Sequence, residues 1–287
     1  MLATICQLAI SGVTSGFIYA LVAIEYTLIF NACSLLNFAH AKTITLCAYI
    51  FAGTFLKMMN GAALPAIALS LIAIVLIGVI IAFMIFIPLQ KYTRLIAIMA
   101  TVMLGTVMTE AAVRIWGPVP LSSGKFLAGT VKLGAVTTSR ANICIMIVAL
   151  IVSVLLKLFI AKTKTGQAMT CVAQDKTAAA LMGINVNRNM AFSIGLSFAI
   201  CGIIGIMVVP LYTAQQAMAD MIGMKGFAAG VIGGFGDING AIIGGIVLGL
   251  IENFACLAVP AMYKDIIAFM MMIVFLLIKP DGLTAKK

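Results

Sequence analysis

Hydrophobic and polar positions are segregated along this chain into long apolar blocks, divided by short stretches that hold most of the charge. Two runs, 58–90 and 189–219, contain no Asp, Glu, Lys or Arg. Each exceeds the roughly 20 apolar residues that cross a bilayer core. Charged, proline and glycine punctuation between the blocks predicts helices near 5–29, 36–56, 64–87, 95–115, 141–160, 190–212, 220–235, 240–258 and 265–279. The seventh and eighth are interrupted, because Gly233, Gly234, Gly236 and Gly240 crowd around Asp237 and Asn239. Glycine at that density weakens a helix and suits a broken or re-entrant pair. The expected fold is all-α: a polytopic integral membrane protein with eight or nine transmembrane helices, one or two of them broken or re-entrant. A single transmembrane domain covers 1–287, with a soluble loop at 161–189 inside it.

Composition narrows the class. Hydrophobic residues make up 64% of the chain and charged residues 9%, with a mean hydropathy of +1.23. A soluble protein is about a quarter charged, so a soluble enzyme, a secreted disulfide scaffold and a disordered tail are all excluded. The net charge of +10 does not form a nucleic-acid patch, because the basic residues are dispersed between apolar spans, as charges that fix topology are. Lys91 and Arg94, then Lys162, Lys164, Lys176 and Arg188, then Lys279, Lys286 and Lys287 fall on one side of an alternating path, expected to be cytoplasmic. Arg114, Lys125, Lys132, Arg140 and Lys225 fall on the other. Nine spans place the N-terminus outside; eight spans with one re-entrant segment satisfy the pattern equally. No basic region precedes Glu25, the first charge, so no cleavable signal peptide is expected. The seven cysteines include no CxxC pair and have neither disulfide nor metal spacing.

The 161–189 loop carries the most information. Met169, Val172 and Ala173 recur at i, i+3 and i+4, which predicts a short amphipathic helix. Asp175 is a good N-cap for a second helix running through Ala178 to Met182, and Gly183 is its left-handed stop. The two helices form a knob whose apolar stripe must bury against this protein's own helix ends or against a partner. Within the spans, Glu25, Lys42, Glu110 and Glu252 each cost about 2.5–3.5 kcal/mol at mid-membrane unless paired or wet. Asn37 and His40 lie three apart on one helical face, either as hydrogen-bonded structural groups or as a polar lining of a translocation path. The lone His has no acidic or thiolate cluster around it, so no metal is expected. The spacings Gly240/Gly244 and Gly245/Gly249 fit small-residue helix contacts, within this subunit or with a second one. Neither Gly124-Lys125, followed by Phe126 where a P-loop needs Ser or Thr, nor the near-GxGxxG run at 234–240 fits a nucleotide site.

The loop at 165–185, TGQAMTCVAQDKTAAALMGIN, resembles the cytoplasmic coupling loop of bacterial branched-chain amino acid ABC permeases, the LivH/LivM family. The opening GVTSGFIYALVAI at 12–24, Asn37-Phe-Ala-His40, the glycine-rich FAAGVIGGFGDINGAI at 227–242, Glu252, Tyr263-Lys264-Asp265 and the closing KPDGL at 279–283 resemble further elements of that family in order. The match is nearest the LivH type, which has no long C-terminal extension. The resemblance implies a membrane-spanning ABC importer subunit that moves Leu, Ile, Val or similar solutes across the inner membrane. It implies a second permease subunit, an extracytoplasmic substrate-binding protein, and two cytoplasmic ATPase subunits docking on the knob. Gly166, Met169, Val172, Asp175, Leu181 and Gly183 would serve that docking, and Asn37, His40, Glu25 and Lys42 the translocation path. ATP would be used by the partners, with no cofactor and no covalent chemistry on this chain. Three positions depart from the pattern: Glu25 replaces a glycine, Ala41 and Lys42 replace Gly and an acidic residue, and Thr170 replaces an arginine. Glu25 and Lys42, both additions, either pair across neighbouring helices or snorkel separately. An ABC permease for urea or a short amide, and an ion-driven secondary transporter with broken helices, are the other readings open to this sequence.

Overall fold

The computed structural model describes residues 2–33, 35–124, 126–133, 136–257, 259–279 and 282–283. Lys125, Lys286 and Lys287, read above as side-marking charges, lie outside the described residues, as do Pro280 and Asp281 of the closing motif.

Each apolar block folds as a helix. α1 is Leu2–Cys33. α2 is His40–Tyr49, continued by a π-helical segment Ile50–Phe55 and a last turn Leu56–Met58. α3 is Ala63–Ile81, continued through a π segment Ala82–Phe86 into Ile87–Leu89, where Pro88 lacks the N–H that would extend the ladder. α4 is Arg94–Trp116 and α5 is Arg140–Lys162. α6 (Lys164–Gln174) and α7 (Lys176–Leu181) form the loop knob. α8 is Val186–Tyr212, α9 Asp220–Gly233, α10 Ile238–Ala255 and α11 Lys264–Ile278. The fold is that of an all-α, multi-pass membrane protein. Among the described residues six helical stretches, in α1, α3, α4, α5, α8 and α10, are long and apolar enough to cross a membrane. α9, at 14 residues, is only about 21 Å long at ~1.5 Å per residue, shorter than a typical hydrocarbon core.

One element was not expected. β1 (Thr130–Leu133) and β2 (Val136–Ser139) pair as an antiparallel hairpin with Val131 opposite Thr138 and Lys132 opposite Thr137. Its β-branched Thr and Val residues were the available signal, but the segment is too short and polar to register against the apolar blocks.

The chain divides into two compact units, Met1–Thr27 with Gly124–Ser153 and Asp220–Lys287, and Leu28–Ser123 with Val154–Ala219. In the first, α1 and α10 approach with almost no side chain between them. A Cβ at Gly16 would stand 2.8 Å from the Ile246 Cα, and one at Gly245 2.5 Å from the Ala20 backbone nitrogen. Gly244 faces the other way, onto the α9 backbone at Ala229 and Gly233. Both small-residue spacings of α10 are therefore filled from within the subunit. In the second unit, α8 is buried along most of its length and packs on α2 and α3. Gly205 lies against the Ile44 carbonyl, Gly202 against Ile74 and Leu71, and Phe198 fills the space over Gly78. Large apolar side chains on α3 and α4, among them Leu76, Ile80, Met84, Met99, Met103 and Val107, are exposed, as a lipid-facing surface requires.

Candidate functional site

The knob is built by tight local contacts. The Thr163 hydroxyl caps α6 by accepting from the Gly166 N–H at 3.0 Å. Gly166 must be glycine, because a Cβ there would stand 2.5 Å from the Ile160 Cα and the Phe159 carbonyl oxygen. α6 is thereby folded hard against the end of α5. Asp175 caps α7 with one carboxylate oxygen, which accepts from the N–H groups of Thr177 at 2.7 Å and Ala178 at 3.0 Å. Gly183, at φ +84°, closes α7, and the Ile184 N–H returns to the Ala179 carbonyl at 3.0 Å.

Of the two ways to cover the apolar stripe, the structure takes the internal one. Met169, Val172 and Ala179 are buried, and both α6 and α7 pack on α8. Leu181 and Met182 are left at 85% and 79% exposure on the outer end of α7. Six residues assigned to docking thus divide by position: Gly166, Met169, Val172 and Asp175 build the knob, and Leu181 and Gly183 stand at its exposed tip. A further bond was not visible in the sequence. The Lys176 ammonium donates to the Cys33 carbonyl at 2.8 Å, joining α7 to the end of α1.

Asn37 and His40 are both buried in the second unit, at the entry to α2. Asn37 Oδ1 accepts from the Ala39 N–H at 3.0 Å, and His40 Nδ1 lies 3.3 Å from the Asn37 carbonyl oxygen. The Phe38 N–H donates to Thr101 on α4 at 3.3 Å. Lys42 is half-buried, its stem within 3.1 Å of where a Cβ on Gly105 would be. Glu25 is buried on α1, in the first unit, and Glu110 is exposed on α4.

The first unit holds a buried ionic cluster. The Lys225 ammonium on α9 donates to Glu252 of α10 at 2.9 Å and to Asp265 of α11 at 2.6 Å. The Tyr19 hydroxyl of α1 donates to the other Glu252 oxygen at 2.9 Å, and Lys264 reaches the Asn253 side-chain oxygen at 3.2 Å. Lys225, counted above among the charges of the outward side, is 6% exposed and is paired with two carboxylates. At the opposite end of α9 and α10, Gly234 and Gly236 take positive φ and Asp237 caps α10 by accepting from Asn239 and Gly240. Against that turn lies the closing segment: Gly282 sits on the Gly233–Gly234 backbone, and the Leu283 N–H donates to the Ile232 carbonyl at 2.9 Å. Among the described residues no group of His, Cys, Asp and Glu could hold a metal ion.

Residues 8–276 match the family described as branched-chain amino acid transport system, permease component. The chain belongs to that family. It is 30% identical to the high-affinity branched-chain amino acid transport system permease protein BraD of Pseudomonas aeruginosa, over 98% of this chain and 95% of the relative. The LivH permease proteins of Salmonella typhimurium and Escherichia coli K12 are 29% and 28% identical at the same coverage. The chain is accordingly a transport permease component. The family-like elements are joined in space within the first unit: Lys225 links Glu252 to Asp265, and Gly282 seats the closing motif on the glycine-rich turn.

Proposed function

We propose that the chain is the membrane-spanning subunit of a bacterial inner-membrane ABC importer for branched-chain amino acids, working with a second permease, two cytoplasmic ATPase subunits and an extracytoplasmic binding protein. The observation that carries this reading is the knob, whose base is buried on its own unit while Leu181 and Met182 stand exposed at its tip. Two large apolar side chains at that exposure, on a helix held by Asp175 and Gly183, suit insertion into a groove on a partner. ATP-driven closure of the ATPases would push the knob, and α5 and α8, packed directly on it, would move as rigid rods. The polar groups assigned to transport are Asn37, His40 and Lys42 in the second unit and Glu25 in the first.

Affinity purification of the complete complex tests the docking. Leu181→Asp with Met182→Asp is expected to lose the ATPase subunits while the permease stays folded, whereas Met169→Asp is expected to lose the permease itself. An ATPase that stays bound to the double variant would remove the knob from the reading. Uptake of labelled leucine, isoleucine and valine into liposomes, competed by urea and short amides, assigns the solute. Accumulation by this chain alone on an ion gradient would sink the ABC assignment.

A further inference from the structure

We propose that Lys176 is a positioning residue for transport: a strut that carries the knob's movement to the cytoplasmic end of α1, so that α1 is driven together with α5 and α8. This rests on the reading of the knob as the ATPase dock.

The argument starts at the end of α1. The last carbonyls of a helix have no partner within it and carry its negative dipole end. α1 has no basic residue in its last turn, so its own last turn sets no cation against that end. Lys176 supplies the cation from 143 positions away, at 2.8 Å from the Cys33 carbonyl. The lysine is aimed rather than free. It is the first residue of α7, directly after Asp175, whose carboxylate binds the next two N–H groups and fixes the backbone. Cys33 is buried and Lys176 is half-buried, and burial lowers the Lys176 pKa from its ordinary value, with the Cys33 side chain acting weakly in the opposite direction. A charge-assisted bond shielded in this way is stronger than one at an open surface.

Chain connectivity shows why such a bond matters. α5 runs into the knob and α8 runs out of it, so both follow its motion through the backbone and through the packing of Gly166, Met169 and Val172. α1 is not continuous with the knob along the chain. Lys176 joins the two across space, at the tip of an unbroken helix of 32 residues.

The test uses the complete transporter in proteoliposomes, with wild type, Lys176→Arg, Lys176→Met and Lys176→Glu. Three quantities are read: ATP hydrolysis, solute taken up per ATP, and the alkylation rate of Cys33 followed by peptide mass spectrometry. Lys176→Met is expected to keep its ATPase subunits and their hydrolysis, while uptake per ATP falls about ten-fold, the order of one charged hydrogen bond. Cys33 alkylation should rise as the end of α1 frays. Lys176→Arg should restore both, and Lys176→Glu, setting a carboxylate against a carbonyl, should be worse than Met. Wild-type uptake per ATP in Lys176→Met overturns the strut, and so does loss of the ATPase subunits, which would make Lys176 part of the dock. A wild-type complex that binds no ATPase defeats the docking reading instead. In that case Cys33 still decides the bond, since equal alkylation in wild type and Lys176→Met overturns it.

Discussion

At Lys225 one ammonium answers two carboxylates, one buried and one half in solvent. Removing the lysine leaves Glu252, 4% exposed, without its cation. Breaking a buried pair from one side costs about 3–5 kcal/mol. Removing Glu252 instead leaves a balanced Lys225–Asp265 pair, and removing Asp265, 41% exposed, leaves a balanced Lys225–Glu252 pair. Lys225→Met is therefore expected to lower the melting temperature far more than Glu252→Gln or Asp265→Asn. The double variant Lys225→Met with Glu252→Gln should recover most of the loss; thermal unfolding in one detergent ranks all four. At this scale the sequence was half legible. Glu252 and Asp265 stood out as charged letters in motif-like places. Lys225 did not, because a hydropathy window cannot separate a charge at the edge of a span from one neutralised by two other helices. Asn37 and His40 do not share a helical face as their spacing suggested: α2 begins at His40, and Asn37 stands before it in a turn where its side chain accepts from the Ala39 N–H and its carbonyl lies against His40.

For the elements, the glycines of α10 set how near its neighbours come. A Cβ on Gly249 would run into the α1 backbone at Gly12 and Gly16. A Cβ on Gly230 of α9 would meet only ordinary van der Waals neighbours, the Phe235 ring at 3.6 Å and the Ala23 Cβ at 3.7 Å. Gly249→Ala should thus push α1 and α10 apart and destabilise the first unit. Gly230→Ala should be neutral or stabilising by up to roughly 0.5–1 kcal/mol, because alanine gains helix propensity without a clash. Comparative melting of the two variants checks the sign of each. The apolar helices themselves were legible because an apolar block has few other ways to exist in a bilayer. The partner of each glycine face was not, since a small-residue spacing shows that something comes close and not which helix it is. The same limit applied to the knob. Period 3.6 found the Met169 and Val172 stripe and the Asp175 cap, but only packing shows that the stripe is spent on α8 and that Leu181 and Met182 are the surface left over.

Across the whole chain, the contacts that close the first unit are far apart in sequence. The Tyr19–Glu252 bond spans 233 positions, and the interlock of Gly12, Gly16 and Ala20 with Gly245 and Gly249 is of similar reach. Contacts of such separation form late. In nascent chains of increasing length, a photoreactive group at position 13 is expected to label lipid or the insertion machinery until α10 has emerged, and α10 afterwards. Early labelling independent of length would show that α1 finds another partner first. The close fit of α1 against α10 therefore has a cost in time. At ~5–20 residues per second of synthesis, roughly 12–47 s separate the making of Tyr19 from the making of Glu252, and for that interval the first helix waits in the bilayer with Glu25 aboard and its glycine face open. A cell that makes this protein must keep that one helix sheltered until its counterpart arrives.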